Sequence, residues 1–276
     1  MQNQASSSKS GQIVAVISGK GGVGKTILAT NLSAVFLEYG KKTLLLDADV
    51  GFTNADILLG SHPKYTLKDF VNHKCSIDDL VTPTKYGIDF VSLGGDVGDI
   101  ITANEIVLRD FAINFLKLLD SYDIVIMDMP PGFSEFYMPF LSLVQDFVVL
   151  TTIEPTSVVN TYTIIKLLTV KGVTGENIHV VANMVQDVKD ATKLLERFIE
   201  VTEKFINSKI SSVTIVKDHP LVLKSVYDRE LFVKKYRNIQ PTFSVIRIAS
   251  NILKLSQNTR QRENLFDKFI KLFRGA

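Results

Sequence analysis

Short, nearly unbroken apolar runs recur along the chain at 13–17, 43–47, 88–92, 122–128, 147–151, 178–183 and 213–216. Between most of them the apolar residues fall at helical spacing, clearest over 26–39, 105–120, 158–170 and 191–207. Runs such as "IVAVI" do not alternate with polar residues, so the strands they predict are covered on both faces. Such strands in alternation with helices predict an α/β fold of three layers, with a mostly parallel central sheet between helices. No long Pro/Gly/Ser linker and no internal repeat divides the pattern, so one folded unit is expected over about 11–257. A polar arm, 1–10, precedes it, and an amphipathic segment, 258–276, follows. The stretch 229–247 carries both strand and helix signals around Pro241.

Composition narrows the picture only modestly. The chain has 276 residues, with 31 Lys and Arg against 29 Asp and Glu. A net charge of +2 gives the whole molecule no electrostatic reason to seek nucleic acid. Cys75 is the single cysteine, which excludes an internal disulfide and an all-cysteine metal site within one chain. The opening "MQNQASSSKSGQ" has no apolar core of the kind a secretory signal needs. No apolar run reaches the roughly 18–20 residues that span a bilayer. The expectation is a cytoplasmic protein whose membrane contact is peripheral.

Chemistry concentrates after the first apolar run, in "SGKGGVGKTILATN". Gly19 and Gly24, followed by Lys25 and Thr26, satisfy the P-loop spacing between a strand and a helix. Gly21, Gly22 and Val23 complete the loop, and Ile27 opens the helical pattern. Glycines let successive backbone N–H groups wrap a phosphate chain, and the helix N-terminus adds favourable partial charge. Lys25 suits the terminal phosphates and the Thr26 hydroxyl suits Mg²⁺. The metal also needs carboxylates. Asp47 and Asp49 end the run "LLLDADV", and Asp128 ends "YDIVIMD", at the sheet edge where ligands bind. Alternation alone does not separate Asp47 from Asp49, which an ideal strand would place on one side. Asn183 reads as a polar residue ending a strand.

The block "GKGGVGKT", with Lys20 after the first glycine, resembles the deviant Walker A loop of the MinD/ParA family of dimerising ATPases. The resemblance covers nearly all of the folded region and implies a MinD-like P-loop NTPase of the SIMIBI type that binds ATP and ADP with Mg²⁺. It implies that Lys20 reaches the partner's phosphates in an ATP-dependent homodimer, and that Asp49 orients the attacking water. It also implies that Asp47 supports magnesium, that Asp128 with "MPPG" forms Walker B and switch II, and that Asn183 contacts adenine. Asp218, in "IVKDHPLV", lies in what resembles the second base-contacting loop, with Val216 where proline is usual.

The closing "ENLFDKFIKLFRGA", if helical, gathers Leu265, Phe266, Phe269, Ile270, Leu272 and Phe273 on one face. Asp267, Lys268, Lys271 and Arg274 fall opposite. Such a helix fits an anionic membrane surface or the protein's own core, and the family resemblance implies the membrane. Within the family, "DVGFTNADILLG" and the arm residues Gln4, Ala5 and Lys9 resemble the flagellar FlhG group. That likeness implies as partners the GTPase FlhF and flagellar basal-body or transcription-regulatory proteins. Septum-site selection of the MinD type and DNA segregation of the ParA type are the alternatives. A P-loop small-molecule kinase or ligase is the competing class, distinguished by turnover that depends on a second substrate.

Overall fold

The computed structural model describes residues 11–49, 55–93, 105–132 and 137–255. The arm residues Gln4, Ala5 and Lys9, the 50–54 part of "DVGFTNADILLG" and the amphipathic 258–276 lie outside the described residues. In chain order the elements are β1 (Gln12–Ser18), α1 (Lys25–Glu38), β2 (Thr43–Asp47), α2 (Ala55–Leu59) and α3 (Leu67–Val71). There follow β3 (Thr82–Pro83), β4 (Asp89–Ser92), α4 (Glu105–Asp120), β5 (Ile124–Asp128), α5 (Met138–Leu141) and β6 (Asp146–Thr151). Then come α6 (Pro155–Val170), β7 (Ile178–Val185), α7 (Val188–Ile206), β8 (Ser212–Lys217), α8 (Pro220–Tyr227), α9 (Phe232–Lys235) and α10 (Gln240–Leu255).

The eight strands form one sheet in the order β3-β4-β2-β5-β1-β6-β7-β8. Every pairing is parallel except β3 with β4. The unbroken apolar runs have the expected cause. Along β1, Ile13, Ala15 and Ile17 enter the core shared with α4, α6 and α7, including Phe111, Phe115 and Ile164. Val14 and Val16 point the other way, against Leu32 and Phe36 of α1 and Ile248 of α10. Both faces of the strand are therefore dry, and each buried Leu or Phe removes apolar area worth about 2–3 kcal/mol.

Local signals set the helix ends. Pro155 starts α6, where a missing N–H costs no helical bond. Asp187 caps α7, its carboxylate accepting from Lys189 N at 2.7 Å and Asp190 N at 3.1 Å. The stretch that read both ways, 229–247, holds no strand and two helical segments joined by a turn. It contains α9 and the start of α10, with Pro241 in the first turn of α10, so the proline opens that helix rather than breaking it.

Candidate nucleotide site

β1 lies between β5 and β6, so chains depart to opposite sides from its carboxyl end. This switch point is where an open α/β sheet leaves a crevice. Residues 19–24 cross it and deliver Lys25 as the first residue of α1. Two glycines carry backbone conformations that a side chain resists: Gly22 has φ +77° and Gly24 φ +89°. A Cβ on Gly24 would strike Asn183 Nδ2, whereas a Cβ on Gly22 would meet nothing within 4 Å. Gly22 thus borders open space at the loop's rim. Gly19 is needed for packing, since a Cβ there would come within 2.7 Å of the Asn160 carbonyl carbon on α6.

Below the loop the acidic residues converge. Asp47 and Asp128 are register partners on β2 and β5, both buried. Asp128 Oδ1 stands 3.4 Å from Lys25 Nζ, and Lys25 is itself buried. Burial raises the Asp128 carboxyl above its ordinary range, against the opposing pull of the Lys25 charge and a Thr26 hydrogen bond. Burial, reinforced by the Asp128 charge, pushes Asp47 up to about 7. Asp47 Oδ2 and Asp128 Oδ2 are buried without a hydrogen-bond partner among the described residues. Such orphaned oxygens are costly unless a ligand or cation takes them up.

The structure separates Asp47 from Asp49. β2 ends at Asp47, and Ala48 N donates to Asp128 O at 2.9 Å, holding the chain against β5. Asp49 N then turns back to donate to Asp47 Oδ1 at 3.0 Å. Asp49 is consequently half-buried beyond the strand, with its backbone bracing the inner carboxylate.

At the other wall, β7 and β8 slip register between Ala182 and Val185, where Met184 has φ 56°. Asn183 sits in this irregularity, and its Nδ2 donates to Val23 O at 2.9 Å. The asparagine is therefore bound to the loop's own backbone. Val23 is buried and Ile27 half-buried. Asp218 stands exposed at the end of β8, where its N–H donates to Val185 O at 2.9 Å. Lys20 is exposed and ion-paired with Glu154, the residue immediately before α6. Glu154 was missed in the sequence, although an acidic residue just past an apolar run is the same signal that marked Asp47 and Asp128.

The donor set fits a metal-bound polyphosphate. A glycine cradle faces open space, a buried lysine stands beneath it, and a hydroxyl and two orphaned carboxylate oxygens lie alongside. The profile of the ParA family, described as NUBPL iron-transfer P-loop NTPase, matches residues 9–249. The chain belongs to the ParA family of P-loop NTPases. The lone Cys75 means that thiolates for any iron–sulfur centre would have to come from more than one chain.

Among its relatives, the chain is 27% identical to the antiactivator FleN of Pseudomonas aeruginosa, over 87% of this chain and 86% of that one. It is 24% identical to the flagellum site-determining protein YlxH of Helicobacter pylori, over 81% and 75%. Its fold resembles that of the septum site-determining protein MinD complexed with Mg-ADP from Pyrococcus horikoshii. The TM-score is 0.69 at 22% identity, over 89% of this chain and 97% of that one. No helix among the described residues is long and apolar enough to cross a membrane.

Proposed function

We propose that this ParA-family protein is a magnesium-dependent ATPase that works as a dimerising switch and regulates flagellar number and placement. The observation that carries the switch reading is the pair of buried, unpartnered oxygens on Asp47 and Asp128 beside the glycine loop. They call for a divalent cation, and the loop calls for the phosphates that bring one. Magnesium would neutralise charge on the phosphates and pull the two carboxyls into their ionised forms.

The chain's own groups then have distinct tasks. The backbone N–H groups of 19–24 hold the phosphates and Lys25 neutralises them. Thr26, Asp47 and Asp128 hold the metal directly or through water. Asp49, at the rim, orients a water molecule for attack. Asn183 and Asp218 border the base. Lys20 leaves Glu154 and crosses to the phosphates of a second copy, so the triphosphate joins two chains. A dimer presents two copies of the amphipathic 258–276 to an anionic membrane, and paired weak anchors hold far better than one.

The flagellar assignment is supported by YlxH, a flagellum site-determining protein that aligns over 81% of this chain. The GTPase FlhF is the proposed partner. The test is a pull-down with FlhF and with a septum inhibitor side by side, each with and without ATP, alongside liposome sedimentation. ATP-dependent capture of FlhF, and liposome recruitment lost on removing 263–276, are the expected results. Capture of the septum inhibitor alone assigns the division role. A protein that stays monomeric with a non-hydrolysable ATP analogue refutes the switch.

A further inference from the structure

Away from the nucleotide crevice, β8 forms one edge of the sheet and lies at the bottom of an 830 Å³ groove between α7 and α10. Only some of its outward backbone groups are used. Gln240 of α10 imitates a neighbouring strand: its Oε1 accepts from Lys217 N at 2.9 Å and its Nε2 donates to Ile215 O at 3.1 Å. Ser244 Oγ adds a second bond to Ile215 O at 2.8 Å. Because both polar groups of one residue in a parallel ladder point to the same side, Ile215 N–H and both polar groups of Val213 also point outward. None of these three has a partner among the described residues. An edge of this kind is a template for another strand.

The walls specify what that strand would carry. Val213 and Ile215 turn their side chains to the α7 side, where they pack with Leu195. Above this apolar strip, Glu196 and Glu200 are exposed on successive turns of α7 and have no ion-pair partner among the described residues. Across the groove, Arg247 of α10 likewise has no ion-pair partner among the described residues. An added strand sends alternate side chains to opposite walls.

We propose that the β8 edge binds an extended segment of a partner protein by strand addition. The segment has apolar and basic residues facing α7 and an acidic residue facing Arg247. Backbone bonds to Val213 and Ile215 supply the docking, and the two charged walls select sequence and register. None of the groove-lining residues is one assigned to the nucleotide crevice, so the expected binding is the same with and without ATP.

The probe is fluorescein-labelled acetyl-Lys-Thr-Ile-Glu-Lys-amide, titrated by anisotropy against the full chain. Saturable binding is expected, with amide shifts at Val213 and Ile215 in NMR spectra. Exchanging Lys and Glu within the probe should weaken it about tenfold, the scale of two or three exposed ion pairs. The Glu196→Lys, Glu200→Lys double variant should reverse that preference. N-methylation of alternate probe amides should abolish binding in one phase and spare it in the other, since only one set faces β8. Loss in both phases or in neither, or equal binding of the charge-exchanged probe, overturns the proposal. So does displacement of the probe by an unlabelled peptide of residues 258–276, which would make the groove the seat of this chain's own tail.

Discussion

Replacing Asp47 by Asn should stabilise the ligand-free protein while weakening its hold on magnesium. A carboxyl whose value moves from 3.8 in the unfolded chain to about 7 in the fold is penalised whenever it is ionised. At pH 8 the full difference is felt, about 4 kcal/mol as an upper bound and nearer 2 kcal/mol after local relaxation. The sign follows from proton counting. Between pH 4 and 7 the folded protein holds a proton on Asp47 that the unfolded chain has released, so wild-type stability falls as pH rises through this window. Asparagine keeps the acceptor that Asp49 N uses and carries no charge. The two proteins should therefore melt together near pH 4 and diverge above it, with the variant higher by about 3–7 °C at pH 8. Calorimetric melting from pH 4 to 8 without nucleotide measures this, repeated with Mg·ADP. The nucleotide should raise the wild-type melting temperature much more than that of the variant. Parallel pH profiles, or a variant less stable than wild type at pH 8, would refute the claim that Asp47 is a buried carboxyl held at a cost for a cation.

Gly22→Ala and Gly24→Ala should differ although both glycines have positive φ. Each incurs about 1–2 kcal/mol of left-handed strain, but only Gly24→Ala also displaces the Asn183 amide and its bond to Val23 O, adding about 1 kcal/mol. Equal melting temperatures would show that Asn183 does not brace the loop. Lys20→Ala should leave the ligand-free fold within about 1 kcal/mol of wild type, because its ion pair with Glu154 is solvent-exposed. The same change should abolish ATP-dependent dimerisation in light scattering, and a variant that dimerises normally removes Lys20 from the interface. Asp69 accepts from Thr66 N and Thr66 Oγ1 at 3.0 Å, bonds that hold its carboxyl below the ordinary 3.8. The advantage of wild type over Asp69→Ala should be present above about pH 4 and shrink as acid protonates the cap. An unchanged difference at pH 2 contradicts that source of stability.

What could be read in advance was whatever a local pattern controls. The run 13–17 announced a strand buried on both faces, and Ile13 and Val14 indeed enter opposite cores. The glycine spacing of 19–24 announced a phosphate cradle because the φ angles it needs are those glycine allows. Asp47 and Asp49 were indistinguishable because periodicity assumes a strand that continues. The chain leaves the ladder at Asp47, and a bond between the two residues, rather than alternation, assigns their places. Asn183 bonds to Val23 across 160 positions of sequence, a relation that only the strand order creates. The same holds at the far edge of the sheet. Gln240 sits in a stretch whose local signals conflict around Pro241, yet its side chain closes half of β8 from 23 residues away. Functional geometry in this protein is thus local where backbone conformation makes it and non-local where the sheet brings two strand ends together. The second kind contains both the buried carboxylate pair and the half-open edge. A chain with the same P-loop but another strand order would keep the cradle and lose the Asp47–Asp128 pair, because only the pairing of β2 with β5 sets the two carboxylates side by side.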